Sequence, residues 1–257
     1  MTTPVPYVEI NGHRATEEDL RIPAFSPYGH FTAMQVRDRK VRGLALHLER
    51  LDSANRELFG LPLDGEQVRE LIRHALDGAG VRDASLRLYA FRPPGSVGTT
   101  PMVTVREPWV PVPAPMSLMS VPYARAVPHI KRPGEFSQLY YRAQAERAGY
   151  DEALLTAPGG VVTEGAITNI GFWDGTSVVW PDGPALRGIT MALLEAALPS
   201  VRRAVTLEDL GGYESAFLTN SRGINPVHRI DDVHFPVNEP LMTRLTTTYE
   251  STPWDAV

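Results

Sequence analysis

The sequence predicts an α+β fold in two domains. Strand-like and helix-like segments follow one another unevenly, whereas a doubly wound sheet would alternate them. At 107–115, four prolines fall within nine residues, a density that a helix interior or a central strand does not tolerate. We therefore predict domains at 1–106 and 116–257, with 107–115 as an extended linker. A surface loop inside one domain is the alternative interpretation.

The predicted first domain begins with strands. Residues 7–10 alternate between apolar and polar side chains, and the Asn-Gly pair that follows is a strong hairpin-turn signal. Residues 31–36 and 43–46 flank a charged run at 37–42, which predicts a second hairpin with an exposed turn. Apolar residues at helical spacing then predict two amphipathic helices, followed by two strands. These elements are helices at 47–58 and 67–79 and strands at 84–91 and 101–105.

The predicted second domain contains more strands than the first. An Asp-Gly turn at 174–175 separates two of them, and a glycine at 149 ends the first helix. The predicted strands are 116–122, 151–156, 160–163, 169–173, 177–180 and 214–219. The predicted helices are 137–149, 190–198 and 240–250.

Composition excludes several classes of protein. The net charge is −5 and the pI about 5.8, which argues against the basic surface of a nucleic-acid-binding protein. The absence of cysteine excludes disulfides, thiolate catalysis and cysteine-based zinc sites, and we expect no metal. No apolar run approaches the roughly 20 residues that a membrane span needs, and the first residues lack a targeting signal. We expect a cytoplasmic protein with neither nucleic-acid nor membrane partners.

The chain contains only two lysines, Lys40 and Lys131. Arginine cannot replace lysine where a deprotonated amine is needed, because guanidinium keeps its proton in proteins. Lys40 lies in the charged run, whereas Lys131 ends a β-prone apolar stretch, Val-Pro-His-Ile-Lys. If the protein needs an imine-forming amine, Lys131 is therefore the plausible residue. The alternative is a compositional bias that left two lysines by chance.

Four segments together resemble a known enzyme family. They are Leu48-Glu-Arg-Leu-Asp-Ser-Ala54, Lys131, Val162-Thr-Glu-Gly-Ala-Ile-Thr-Asn-Ile-Gly171, and the pair Leu186-Arg-Gly-Ile-Thr190 and Leu218-Thr-Asn-Ser-Arg-Gly-Ile-Asn-Pro-Val227. From about Tyr7 to Val227 the chain resembles the class IV, or fold type IV, pyridoxal-phosphate enzymes. These include branched-chain and D-amino-acid aminotransferases and aminodeoxychorismate lyase. The resemblance implies two domains with pyridoxal 5′-phosphate between them, and a homodimer.

The resemblance also implies a role for each matched residue. Lys131 would form the imine with the cofactor and, once released, carry a proton between substrate and cofactor. Glu164 would pair with the ring nitrogen and keep it protonated. The phosphate would be held by an arginine, a helix N-terminus and a turn after a strand. These residues are Arg50, Ile189, Thr190, Asn220 and Ser221. Structural roles stay open as alternatives, such as a solvated helix arginine at Arg50, an N-cap at Thr190 and a strand start at Asn169.

The substrate side departs from the family pattern. Tyr28, His30 and Thr32 precede and begin the strand that faces the cofactor in the family and are our candidates for substrate contact. The usual acidic residue is missing from Tyr-Gly-His-Phe-Thr-Ala-Met-Gln, so no subfamily is matched there. Candidates for binding a substrate carboxylate are Arg37, Arg125 and Arg132.

Three functions follow as hypotheses. The first is an aminotransferase that moves an amino group from an amino acid or primary amine to a keto acid or other carbonyl acceptor. The second is a lyase resembling aminodeoxychorismate lyase, which uses the same cofactor. The third is a non-catalytic member of the family.

Overall fold

The computed structural model describes residues 6–25, 28–112 and 114–257. The chain folds into two compact units. The first unit contains Met1–Val110, Ile130–Gly134 and Pro253–Val257, and the second contains Pro111–His129 and Glu135–Thr252. The domain ranges 1–106 and 116–257 stay a prediction, and the short segments 130–134 and 253–257 belong with the first unit. The described residues of 107–115 form no helix or strand.

The first unit is a sheet covered on one face by two helices. Its strands are β1 (Tyr7–Ile10), β2 (His13–Arg14), β3 (Gly29–Val36), β4 (Lys40–Arg42), β5 (Ala84–Phe91), β6 (Thr100–Arg106) and β16 (Trp254–Ala256). Its helices are α1 (Arg21–Phe25), α2 (Leu44–Phe59) and α3 (Gly65–Ala79). Five strands pair antiparallel in the order β2-β1-β6-β5-β3, and β16 pairs with β4.

Alternation along β3 decides which side chains reach the core of this unit. Met34 and Val36 are buried in the cluster that also contains Leu51 of α2 and Ile72 of α3. The intervening positions of β3 are only partly buried. Because successive side chains of a strand point to opposite faces, α2 and α3 cover the Met34 face and leave the other face more accessible.

The predicted strand at 43–46 is wrong. The hairpin partner is β4, which ends at Arg42, and the helix α2 already begins at Leu44. Gly43 adopts the left-handed conformation, with φ of 66°, which ends the extended chain at little cost for glycine. Leu44 is then fully buried as the first residue of the helix.

The second unit is built on a nine-stranded mixed sheet. Its strands are β7 (Met116–Val121), β8 (Glu152–Ala157), β9 (Val161–Gly165), β10 (Asn169–Trp173), β11 (Val178–Pro181), β12 (Ser200–Arg203), β13 (Ser215–Asn220), β14 (Gly223–Ile230) and β15 (Val233–His234). Its helices are α4 (Phe136–Arg147), α5 (Ile189–Ala197) and α6 (Glu239–Glu250). The strand order is β12-β11-β10-β13-β14-β7-β8-β9, with β15 on β14.

Most predicted elements of this unit are present within a few residues of their predicted bounds. The long strand β14 was not predicted, and it joins β13 to β7 in the sheet. Its Asn225-Pro226 pair gave a turn-like sequence, whereas Val227 and Ile230 are fully buried in the core. Helices and mixed sheets together confirm the predicted α+β class. Among the described residues, no helix is long and apolar enough to cross a membrane.

Candidate active site

Lys131, which follows the β-prone stretch Val-Pro-His-Ile, lies in a loop of the first unit. Its carbonyl oxygen accepts a hydrogen bond from the backbone N–H of Phe31 at 2.9 Å, which ties the loop to β3. Its Nζ atom lies 4.9 Å from the centre of the Phe31 ring, within the range of a cation–π contact. Lys40 lies on β4 with its Nζ 3.8 Å from the carboxylate of Asp38, in the charged hairpin that the sequence predicted.

Arg50 belongs to a buried polar network on the helix side of the same sheet. Its Nη2 donates to Oγ1 of Thr32 at 2.5 Å, and Oγ1 lies 2.6 Å from Nδ1 of His47. Burial, together with the neighbouring Arg50 charge, holds the pKa of His47 well below its usual range. Neutral His47 can therefore accept the hydroxyl proton of Thr32, while the oxygen accepts from Arg50. The network orients the arginine that the sequence assigns to the phosphate.

The predicted substrate residues lie in different environments. Tyr28 is 59% exposed and packs edge-to-face on Phe59. His30 is buried, with Nε2 at 3.2 Å from Oδ1 of Asn55, and burial lowers its pKa to about 4. His30 and Thr32 alternate with Phe31 along β3, so they point toward the helices and away from the Phe31 face. The structure brings Thr32 together with Arg50, and it places neither His30 nor Thr32 on the face of Lys131 Nζ.

The Phe31 face contains a cation that sequence reasoning missed. Phe31 pairs with Tyr89 of β5 and stacks on its ring at 5.0 Å. The guanidinium carbon of Arg87 lies 5.7 Å from the centre of the Phe31 ring, and its Nη1 donates to the Tyr89 hydroxyl at 3.2 Å. Arg87 and Lys131 therefore contact the same aromatic ring. The strict alternation of 84–91 is the signal that could have identified Arg87.

Glu164 lies on β9 of the second unit, and its side chain is 4% exposed. Its Oε1 lies 3.7 Å from Nη1 of Arg125, and its Oε2 accepts from the backbone N–H of Leu186 at 3.3 Å. Arg125 also donates from Nη2 to Glu135 at 3.2 Å. A guanidinium this close stabilises the ionised carboxylate. Arg125, a predicted candidate for the substrate carboxylate, is thus held between two carboxylates of its own chain.

The other two arginine candidates lie in the first unit. Arg37 donates to the backbone carbonyls of Val36 at 2.8 Å and Trp109 at 2.5 Å. Arg132 directly follows Lys131 and is partly buried.

The predicted phosphate residues of the second unit lie together. Ile189 and Thr190 begin α5 after Gly188, the N-cap residue. The Thr190 hydroxyl donates to the carbonyl of Asn220 at 2.8 Å, which fixes the helix start beside the end of β13. Ser221 follows in the turn to β14. The first amides of a helix have no intrahelical acceptor and point along the axis toward an anion.

A buried hydroxyl next to this helix start supports a fit to a phosphate. Thr219 is 1% exposed, and its Oγ1 finds no hydrogen-bond partner in the part of the chain that the structure describes. An unmet buried donor is costly, and a phosphate oxygen would satisfy it. With the carboxyl group of Glu164 available for the ring nitrogen, the residues of the second unit fit pyridoxal 5′-phosphate.

Comparisons with known proteins agree with this chemistry. The model of the family described as "Amino-transferase class IV" matches residues 29–230. A protein of Methanocaldococcus jannaschii, described as "Putative branched-chain-amino-acid aminotransferase", is 27% identical over 252 residues, covering 87% of this chain and 88% of that protein.

Two solved structures show the same fold. One is a branched-chain aminotransferase from the archaeon Thermoproteus uzoniensis with norvaline, with a TM-score of 0.80, 21% identity, and coverage of 95% of this chain and 93% of that one. The other is a Legionella pneumophila protein described as "Putative 4-amino-4-deoxychorismate lyase", with a TM-score of 0.80, 22% identity, and coverage of 90% and 93%. They confirm the predicted fold type IV. Because the family model matches most of its length, this chain belongs to the class IV aminotransferases, which use pyridoxal 5′-phosphate.

Proposed function

We propose that this aminotransferase moves the amino group of an amino acid with an apolar side chain to a keto acid, with Lys131 as its catalytic amine. The observation that carries the proposal is the shared ring of Phe31, which contacts both Lys131 and Arg87. An amine for the reaction and a cation for a carboxylate thus lie near one aromatic ring. The M. jannaschii relative, by its description, acts on branched-chain amino acids, whose side chains an aromatic face suits.

Each residue has a defined part in the reaction. Bound pyridoxal 5′-phosphate supplies a carbonyl that accepts the amino group and a ring that delocalises the electron pair of the broken C–H bond. Lys131 Nζ would accept the proton from the substrate α-carbon and then donate it to the cofactor carbon that carries the amino group. Glu164, with Arg125 beside it, would keep the ring nitrogen protonated. Arg87 binds the substrate carboxylate with its planar pair of donors.

The remaining residues hold the phosphate. Arg50 and the Thr190 end of α5 supply charge and donors, and the buried hydroxyl of Thr219 supplies one more. Asn220 and Ser221 shape the turn beside the helix start. These residues would hold the cofactor through its phosphate throughout the reaction.

The lysine assignment has a matched control within the chain. Borohydride reduction should leave one pyridoxyl adduct on the wild type and on Lys40→Ala, and none on Lys131→Ala, as read by intact-protein mass spectrometry. An undiminished adduct on Lys131→Ala would refute the assignment, since Lys40 would then be the amine. If the wild type forms no adduct at all, the chain is a non-catalytic member.

A lyase is the second candidate, favoured by the likeness to the L. pneumophila structure. The two reactions differ in stoichiometry. With amino donor alone, a transaminase releases at most one equivalent of keto acid per active site, because the amino group stays on the cofactor. A lyase acting on aminodeoxychorismate releases pyruvate continuously. Chromatographic counting of keto acid per subunit distinguishes them, and continuous pyruvate release would overturn the transaminase proposal.

A cytoplasmic location and a homodimeric assembly are also proposed. Both rest on the family. Light scattering on the purified protein tests the assembly, since a single-chain mass near 28.3 kDa would contradict a dimer.

A further inference from the structure

Asn169, the first residue of β10, bridges both ends of the segment that leads into α5. Its Nδ2 donates to the carbonyl of Leu186 at 2.6 Å, and its Oδ1 accepts from the N–H of Gly188 at 3.0 Å. Asn169 is buried, with 7% exposure. One amide therefore fixes the backbone on either side of Arg187, directly before the helix start.

The Asn169 amide occupies the space that a Cβ at residue 188 would need. The φ of −65° and ψ of 148° at Gly188 are open to any residue. A Cβ at residue 188 would lie 2.1 Å from Oδ1 of Asn169, however, whereas the next residue that it would approach is Met191, whose Cβ lies 4.0 Å away. A side chain at the N-cap of α5 would therefore displace the Asn169 amide.

The same segment connects two predicted cofactor contacts. The N–H of Leu186 donates to Glu164, and its carbonyl accepts from Asn169. Asn169 also pairs across the sheet with Thr219, and paired residues of neighbouring strands point to the same face. The unpartnered hydroxyl of Thr219 therefore lies on the Asn169 side of the sheet.

We propose that Asn169 is a positioning residue for the cofactor phosphate. Its amide sets the 186–188 backbone so that the first amides of α5 and the Thr219 hydroxyl can bind the phosphate oxygens. Asn169 acts through the backbone of Leu186 and Gly188. This inference rests on the proposed function, because it takes pyridoxal 5′-phosphate as the ligand.

The test isolates the phosphate from the rest of the cofactor. Dissociation constants for pyridoxal 5′-phosphate and for pyridoxal, which lacks the phosphate, are measured on the full chain freed of cofactor. Their ratio reports the phosphate contribution. Asn169→Ala should lower this ratio roughly tenfold, since two hydrogen bonds that fix the segment are lost, with little change in pyridoxal binding.

A second variant gives the inference a rescue signature. Gly188→Ala should lower the ratio as much as Asn169→Ala, because the added Cβ displaces the amide. The double variant should be no worse than either single one, since truncation of Asn169 leaves room for the Cβ. Asn225→Ala is the matched control. Asn225 lies in the same sheet and donates to Ala114 at 3.3 Å, so its loss should leave the ratio unchanged.

The outcomes separate the two claims. If the wild type binds both ligands equally, the phosphate site itself is wrong and the proposed function loses that support. If the wild type prefers the phosphorylated ligand but Asn169→Ala keeps the full ratio, only the positioning role fails. The positioning role would also fail if the ratio of the double variant fell by both single-variant losses combined.

Discussion

Arg50 donates a hydrogen bond to the Thr32 hydroxyl at 2.5 Å, and this contact crosses from α2 to β3. His47 completes the network from one turn earlier in α2. The side chain assigned to the phosphate is thus oriented by a residue that the sequence assigned to the substrate. Thr32 has a supporting role within the first unit.

Thr32→Val tests this support. Valine has nearly the same volume as threonine but lacks the hydroxyl, so the buried His47 nitrogen loses its partner. We expect the free energy of unfolding in urea to fall by about 1–3 kcal/mol and pyridoxal 5′-phosphate to bind about tenfold more weakly. Thr32→Ser keeps the hydroxyl and should retain most of the affinity. Equal affinity in Thr32→Val and the wild type would show that Arg50 needs no such support.

Glu164→Gln should separate cofactor binding from catalysis. The neutral amide cannot hold a proton on the ring nitrogen, so turnover should fall by roughly 2–4 orders of magnitude while the cofactor stays bound. Single-turnover kinetics with visible absorbance measures both. Glu152→Gln, a buried carboxylate elsewhere in the same unit, is the control and should keep its turnover. Full turnover in Glu164→Gln would remove Glu164 from the mechanism.

Arg87→Leu should affect only substrates with a carboxylate. We expect kcat/KM for an amino acid to fall about 10- to 100-fold, as for the loss of a charged hydrogen bond. The matching primary amine without a carboxylate should react as before. Arg37→Leu serves as the control, because the Arg37 guanidinium is bound by backbone carbonyls. An equal loss of kcat/KM for the amino acid and for the primary amine would assign Arg87 a structural role instead.

His30 predicts a loss of stability in acid. Burial lowers its pKa to about 4 in the folded protein, against 6.5 when unfolded, so the unfolded chain binds the extra proton between these values. Its contribution therefore declines as the pH falls from 6.5 toward 4, by about 3 kcal/mol in total. In urea unfolding across this pH range, the free energy of unfolding of His30→Gln should change less with pH than that of the wild type. If the free energy of unfolding changed with pH equally in the variant and the wild type, His30 would take up its proton in the folded state as well.

Glu152 predicts a pH dependence of stability opposite to that of His30, over an overlapping pH range. Burial raises its pKa from 4.5 to about 7, although Arg142 partly counteracts this. The folded protein then keeps a proton that the unfolded chain releases, so stability falls as the pH rises through this interval. Glu152→Gln should be more stable than the wild type above the folded pKa, by up to about 3 kcal/mol, and similar to it in mild acid.

The control for Glu152 is Glu208→Gln. The Glu208 side chain is exposed, so its variant should follow the wild type at every pH. A Glu152→Gln variant that is no more stable in mild alkali would show that Arg142 compensates the buried charge fully.

Local patterns account for what the sequence could predict. Helices α2 and α3 follow from apolar spacing, and β5 follows from alternation. Both depend on residues within a few positions of each other. The Asp64 side chain caps α3 by accepting from the N–H groups of Glu66 and Gln67, a signal that is also local. The missed strand β14 is stabilised by its neighbours β13 and β7, against its own turn-like composition.

The sequence by itself determined the family, because the motif residues are properties of the chain, and its two lysines led to the proposal of Lys131 as the amine. Only the tertiary structure decided which side chains share a face or a backbone segment. Alternation on β3 is compatible with either orientation, and the packing of α2 and α3 turned Thr32 inward and left Phe31 beside Lys131. Asn169 contacts Leu186 and Gly188 far along the chain, so its bridge arises only when β10 and the start of α5 are brought together.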